Sequence, residues 1–336
     1  TYTNTTKNFY ADWQALESLR FTARFGLVRK LTTQDIFRPA NHTDFVNVSD
    51  PFLKGMYTKG NGTHTNITGD IAANYSVEVA KHLFFINAQF NIADNSYNTT
   101  TVKAQGFPND FMDDISFAIG YEKDGKPTSV EGVSRTIGGI GSLNYSYDNR
   151  YLFDANIRYS GSSEAAKDKR WNAFWSVGGG WNIHSEGFMR DATWINRLKV
   201  RVSYGYTGNQ GFSSYDALTT FGYYTNQSFN GQIGSYLKGL ANNALTWQQK
   251  NDFNVGIDFD VLDNRITSRF DYYNSLTKGM VTNVTVPGTT GFNTYVANLG
   301  ETENKGFEAF INGRVFPNQG GRDYINIFAS VAHNIN

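Results

Sequence analysis

The chain of 336 residues carries 30 basic and 30 acidic side chains, so no net field draws it towards nucleic acid, which is excluded as a partner. It has no cysteine, which removes disulfides, thiol nucleophiles and cysteine-based zinc sites together. With 26 Phe, 20 Tyr and 33 Gly against 6 Pro, the composition favours strands and tight turns; no run approaches the roughly 18 apolar residues of a membrane helix, which rules out a helical membrane protein but not a β-barrel, where only alternate residues need be apolar.

The N-terminal Thr1-Tyr2-Thr3-Asn4-Thr5 is no signal peptide, so the sequence is read as processed or as lacking its beginning. Beyond it, apolar and polar residues alternate with the period of a strand that has two unlike faces. The first predicted strand covers 19–29, with Leu19, Phe21, Ala23, Phe25 and Leu27 against Arg20, Thr22, Arg24 and Gly26. Strands at 67–79 and 83–93 are joined at Ala80-Lys81-His82, and those at 133–147 and 150–162 at Asp148-Asn149. In the last of these Tyr151, Phe153, Ala155, Ile157 and Tyr159 oppose Asp154, Asn156, Arg158 and Ser160. Strands at 171–184 and 196–207 flank Ser185 to Asn196, where Phe188, Met189 and Trp194 suit a short helix at a membrane rim. The strands at 246–262 and 265–281 meet at Leu262-Asp263-Asn264, and those at 303–316 and 323–336 across Asn318 to Gly321.

Alternation alone also fits an antiparallel sandwich. Three features favour a transmembrane antiparallel β-barrel, an all-β fold. The strands run about 11 to 17 residues, where a globular strand has about 5 or 6 and a tilted membrane strand about 9 to 11. Tyr145, Tyr147 and Tyr151 gather rings around one turn, as in an interfacial girdle. Short turns alternate with long connections at 30–66, 94–132, 208–245 and 282–302 and a brief one at 161–170, as periplasmic turns alternate with external loops. The count is about eleven strands, with the first and last running in one direction; closed bacterial barrels have even counts, so the chain is expected to be about half of a larger barrel.

The run Leu143-Asn144-Tyr145-Ser146-Tyr147-Asp148-Asn149-Arg150-Tyr151-Leu152, followed by Arg158-Tyr159-Ser160-Gly161-Ser162-Ser163, resembles the SusC/RagA family of TonB-dependent outer-membrane transporters of Bacteroidetes. Arg170-Trp171, Ser176-Val177-Gly178-Gly179-Gly180-Trp181 and Leu198-Lys199-Val200-Arg201-Val202-Ser203-Tyr204-Gly205 continue the likeness in order. So do Thr207-Gly208-Asn209-Gln210, Leu245-Thr246-Trp247-Gln248, Asp271-Tyr272-Tyr273-Asn274, Asn298-Leu299-Gly300 and Glu303-Asn304-Lys305-Gly306-Phe307-Glu308, with Gly106-Phe107-Pro108-Asn109-Asp110 upstream. Each motif is weak alone; their number and order carry the resemblance, which is close over 133–316 and looser before. It implies a barrel of about 22 strands around an N-terminal plug, a TonB box engaged by the TonB complex, a SusD-like surface lipoprotein as partner, outer-membrane lipid around the barrel, and import of oligosaccharides, with oligopeptides second. Residues 1–336 read as barrel throughout, with no recognisable plug or TonB box.

Chemistry-bearing residues are then weighed within that frame. Arg20, Arg24, Asp154, Arg158, Arg201, Asp258, Asp260, Arg269, Asp271 and Glu308 fall on polar faces, to guide substrate, to hold a plug, or to pair among themselves. Tyr215, Tyr223, Tyr224, Phe229 and Tyr236 lie in the longest predicted loop, where flat apolar faces beside Asn and Gln suit stacking on sugar rings or peptide side chains, or packing of the loop on itself. The histidines His42, His64, His82, His184 and His333 lack metal-ligand spacing, so no metal site is expected. Gly178-Gly179-Gly180 lies inside an alternating strand and has no following Lys-Ser/Thr, which points to bending or close packing rather than a phosphate loop. No nucleophile, base and orienter come together, so neither an enzyme nor a cofactor is expected. Two other classes remain open, a secreted glycan-binding or glycan-degrading β-sandwich and a structural outer-membrane barrel.

Overall fold

The computed structural model describes residues 1–122, 125–212, 215–224, 228–314 and 325–336. Its strands are β1 Tyr2–Leu16, β2 Leu19–Arg38, β3 Met56–Val79, β4 His82–Gln105, β5 Gly120–Tyr121, β6 Thr128–Tyr147, β7 Tyr151–Ser162, β8 Trp171–Asn182, β9 Ile195–Asn209, β10 Phe221–Tyr223, β11 Ser235–Leu237, β12 Gln248–Val261, β13 Ile266–Thr285, β14 Thr294–Arg314 and β15 Asn326–Ile335. A sheet of 13 strands runs β1-β2-β3-β4-β6-β7-β8-β9-β12-β13-β14-β15, with β5 paired to β4; β10 and β11 form a separate hairpin. Neighbours in sequence are therefore neighbours in space.

Two sequence expectations change. The count of about eleven strands misses β1, because alternation shows only in its second half, where Phe9, Ala11 and Trp13 oppose Tyr10, Asp12 and Gln14. With β1 added, successive reversals leave the first and last strands running in opposite senses, so the parity argument for an incomplete barrel falls away. The loops expected at 30–66, 94–132 and 282–302 shrink, because β2, β3, β4, β6, β13 and β14 run on into them. The added stretches, such as Asn61 to Thr68 and Asn95 to Thr101, are rich in Thr and Asn. β-branched Thr keeps a strand extended, while polar residues on both faces erase the alternation once the strand stands in water. At 24 residues, β3 and β4 span about 80 Å at ~3.3 Å per residue, far more than the ~25 Å apolar band of an outer-membrane barrel. The predicted turn at Asn318 to Gly321 lies outside the described residues.

The chain divides into two compact units. The first comprises Thr1–Ala11, Ala23–Asp70 and Asn91–Thr136. Its centre is aromatic: Phe37, Tyr57 and Phe107 meet with ring centroids 5.1 to 6.3 Å apart. The Phe107 and Gly106 amides donate to the carbonyls of Lys54 and Gly55, tying together two loops about 50 residues apart in sequence. Gly55 and Gly106 both hold positive φ, and Cβ atoms there would press on Phe107 and on the Phe52 carbonyl.

The second unit comprises Asp12–Thr22, Ile71–Phe90 and Ile137–Asn336. Registers set Trp181 opposite Tyr151, Val255 opposite Val202 and Ile257 opposite Phe270, so one face is a continuous apolar surface. Its large side chains are exposed, and no second layer covers them among the described residues. A water-soluble sandwich would bury that face; a bilayer solvates it. Aromatic rings gather at both ends. His82, Phe84, Tyr145, Tyr147, Tyr151 and Trp181 form one belt, and Tyr159 on Trp171 starts the other. Trp171 and Trp181 on β8 are about 34 Å apart along the strand, which a tilt of ~40° projects to about 26 Å, the thickness of the apolar band.

The short turns use left-handed backbone. Asp148 and Asn149 have φ of 51° and 53°, and Leu262, Asp263 and Asn264 lie between 55° and 59°. Asn and Asp tolerate this region; Leu262 and Ala80 are held there by their surroundings. Each turn is bonded to the next, with Asp148 N donating to Lys81 O at 2.7 Å and Leu262 N to Trp194 O at 2.8 Å. Side chains add a clasp: Lys81 Nζ donates to Asp148 at 2.9 Å, Arg150 bridges Asp148 and Glu186, and Trp181 Nε1 donates to Glu186 at 3.0 Å. The Lys81 hydrogen bond holds Asp148 below the usual carboxylate range, and the Trp181 indole N–H does the same for Glu186. Both acids bind protons less readily folded than unfolded, so the clasp contributes fully above the ordinary carboxylate pKa of ~4 and is lost as pH falls through the lowered values. In urea titrations, Glu186→Gln is expected to lower the midpoint at pH 7, and the gap to the parent is expected to narrow as pH falls below the ordinary carboxylate range.

Candidate functional site

On the polar face of β9, β12 and β13, arginines and aspartates form a ladder. Arg201 donates to Asp258 Oδ1 at 3.0 Å and Oδ2 at 3.2 Å, and to Asp271 Oδ1 at 3.0 Å. Arg197 reaches Asp258 at 2.9 Å, and Arg269 reaches Asp271 at 2.6 Å. Both aspartates are only 8% exposed, so unpaired charge there would be costly. The bridge depends on Gly256, which the register sets between Arg201 on β9 and Asp271 on β13. A Cβ there would come within 2.4 to 2.6 Å of Asp271 Oδ1 and Arg201 Nη2. The residue without a side chain is what lets the guanidinium cross a strand. Gly178 leaves the same kind of room for Asp154, so part of the glycine triplet serves close packing. Of the other charges read from sequence, Arg20 pairs with Asp12, Arg24 lies over the Tyr10 ring at 5.6 Å, and Arg158 donates to Ser160.

At the opposite end from the short turns, three connections interlock. Leu245 and Ala217 are fully buried and pack with Ala165, Ala166 and Phe212, against Val281 and Val296. The segments after β7 and β9 and the ends of β13 and β14 thus share one small core. Polar straps reinforce it. Asn298 accepts from Thr246 N at 2.9 Å and donates to Thr246 O at 2.9 Å and Gly279 O at 2.7 Å. Asn242 donates to Val296 O at 2.8 Å, and Trp247 Nε1 to Lys169 O at 3.1 Å. Asn298 acts as a piece of strand, satisfying backbone groups of two segments at once.

On this base stands the β10–β11 hairpin, which carries four of the five aromatics singled out from sequence. Gly222 faces Tyr236 across the hairpin, and a Cβ there would strike the Tyr236 ring. Tyr236 and Tyr224 meet on that side with centroids 4.8 Å apart at 46°. Tyr223 pairs with Ser235 in the register, alternates to the other side and is 66% exposed. Phe229 sits before a turn in which Asn230 and Gly231 have φ of 49° and 73°, the Asn-Gly pattern of a tight hairpin, and its ring is 88% exposed. Tyr215 lies lower, at φ 78°, an unusual conformation for a bulky residue, with its carbonyl bonded to Leu218 N. The structure therefore brings Tyr224 and Tyr236 into contact and leaves Tyr223 and Phe229 open. Sequence reasoning missed the base beneath them: Leu245, Thr246, Trp247 and Asn298 had been noticed as motif residues, but nothing local says that they touch.

Comparison with known proteins adds three findings. The family model described as TonB dependent receptor-like, beta-barrel, matches residues 1–333. TonB-dependent receptor P3 of Formosa agariphila is 28% identical over 328 residues, 93% of this chain and 31% of that protein. TonB-dependent receptor SusC of Bacteroides thetaiotaomicron is 35% identical over 186 residues, 52% of this chain and 18% of its own length. Among solved structures, the RagAB peptide transporter superimposes with a TM-score of 0.87 at 21% identity, over 99% of this chain and 36% of that one. The chain spans less than a third of the length of these curated relatives.

Proposed function

This chain belongs to the TonB-dependent receptor β-barrel family, and from that membership we propose that the protein takes part in active import of a bulky nutrient, an oligosaccharide, across the outer membrane. It is an outer-membrane protein of the SusC type; its exposed apolar face meets lipid and its charged face lines the lumen. The single observation that carries the substrate reading is the loop hairpin, where flat aromatic rings that suit the C–H face of a sugar stand exposed above a packed, hydrogen-bonded base. Tyr223 and Phe229 offer open faces for stacking, and Tyr224 with Tyr236 form a second, pre-packed aromatic surface. A fixed base limits the ordering cost of binding. In this reading a SusD-like lipoprotein closes over the loops, and the TonB complex releases substrate into the lumen by pulling on a plug that other parts of the protein supply.

An oligopeptide is the second reading, favoured by the likeness to the RagAB peptide transporter. Calorimetric titration of the full-length receptor with oligosaccharides and oligopeptides distinguishes them. Tyr223→Ala and Phe229→Ala are each expected to weaken oligosaccharide binding about 5- to 10-fold, the effect of losing one stacked ring. Binding of peptides alone would replace the first reading with the second. Unchanged uptake after deletion of the gene would sink both and leave a structural barrel.

A further inference from the structure

We propose that the outward face of β1 to β3 carries a site for the phosphate of a lipid A-type glycolipid of the outer leaflet, anchored by Arg29. The placement follows from register. Thr1 and Thr33 exchange N–H···O bonds at 2.7 and 2.8 Å, and the Phe9 and Phe25 rings meet at 6.2 Å, so one unbroken antiparallel register joins β1 to β2. It sets Thr5 opposite Arg29 and Lys7 opposite Leu27. On the other side, Cβ atoms placed on Gly26, Gly60 and Gly62 would meet Thr68, Gln34 and Thr32, which fixes Thr65 opposite Arg29 and Ile67 opposite Leu27. Odd-numbered residues of β2 therefore share the lipid side, Ala23, Phe25 and Leu27 and then Arg29. Arg24 alternates to the polar face, where it lies over the Tyr10 ring.

Arg29 interrupts the apolar column at a telling depth. It lies ten residues beyond Leu19, where β2 starts after a short turn, so about 33 Å along the strand and ~25 Å along the membrane normal at a tilt of ~40°. Short turns mark the periplasmic side, which puts Arg29 at the outer boundary of the hydrocarbon. Its neighbours on this face are Leu27 and Leu31 along the strand and Thr5 and Thr65 across it, so no carboxylate faces it from either adjacent strand. Asp94, further round on β4, is held by Arg135 at 2.6 Å. Lys7 lies one diagonal step from Arg29 and adds a second exposed cation, while Thr5 and Thr65 offer hydroxyl donors. Phosphate is an anion that a guanidinium grips with two parallel N–H bonds. Below the cations, Phe9, Phe25, Leu27 and Ile67 form a surface for acyl chains. The lipid whose phosphate stands at this depth is the phosphorylated glycolipid of the outer leaflet, so charge and depth together name the occupant.

The experiment offers the full-length receptor in detergent either lipid A or the same lipid A stripped of its phosphates, with retained lipid measured by native mass spectrometry. The parent protein is expected to retain the phosphorylated form in preference. Arg29→Gln should lower that retention roughly fivefold, and Arg29→Gln with Lys7→Gln about 25-fold. Arg24→Gln, which removes an equal charge from the lumen face of the same strand, should leave it unchanged. The three substituted positions are exposed, so none of these variants disturbs a packed core. Equal retention of the two forms by the parent, unchanged retention in Arg29→Gln, or an equal loss in Arg24→Gln would each overturn the proposal. So would phosphatidylglycerol competing on equal terms, which shows a site for any anionic headgroup, or inorganic phosphate displacing lipid A at equal concentration, which shows a site for a free anion.

Discussion

Arg201→Met is expected to destabilise the protein by about 2 to 3 kcal/mol, read as a lower urea midpoint of the full-length receptor in detergent. The substitution keeps most of the side-chain volume but leaves Asp258 and Asp271, both nearly buried, without the guanidinium that bridges them. Losing one partner of a buried pair costs about 3 to 5 kcal/mol, and the figure here is smaller because Arg201 is a quarter exposed and Arg197 and Arg269 stay in reach. Replacing the whole network, as Arg201→Met with Asp258→Leu and Asp271→Leu, should recover much of the loss, since no buried charge is then left unpaired. Gly256→Val is expected to act in the same direction by about 1 to 3 kcal/mol, because its side chain occupies the path of the guanidinium. A triple variant less stable than Arg201→Met alone would show that the ladder is worth more than the cost of desolvating it.

Leu245→Ala should open the loop base while leaving the sheet intact. Leu245 is the largest side chain buried to completion among the described residues, and removing its outer carbons costs about 2 to 5 kcal/mol when the surroundings cannot collapse. Here they are held by the Asn298 and Asn242 straps, which limits relaxation. Hydrogen exchange at the Leu245 and Thr246 amides is expected to speed up about thirtyfold or more, with the amides of β12 and β13 unchanged. If exchange speeds up equally through the sheet, the loops and the sheet open as one unit.

Much of this architecture is legible in the residues. Strands from Tyr151 to Val261 declare themselves because lipid on one side and a polar lumen on the other impose alternation on every residue. That constraint ends where the bilayer ends. The Thr- and Asn-rich extensions of β3 and β4 and the first half of β1 are strands made by their neighbours, and no periodicity marks them. The aromatic candidates in the long loop could be named because exposed rings in a loop are unusual by composition alone. Their base could not, since Ala165, Ala217, Leu245 and Val296 meet through a fold that joins distant positions. The role of Gly256 was hidden for another reason: a glycine in a strand reads as a weakness until the register shows which side chain crosses it.

The interlocked loop base also says something about the order of folding. Trp247 bonds a carbonyl 78 residues away and Asn242 one 54 residues away, contacts of the kind that form late because much chain has to be fixed first. They come within reach only when β8, β9, β12, β13 and β14 are already in register. The hairpin that carries Tyr223 and Phe229 is therefore positioned by the last contacts to close. A receptor caught during assembly, with its sheet half zipped, displays no ordered aromatic surface, and the surface proposed to meet substrate arrives together with a completed wall.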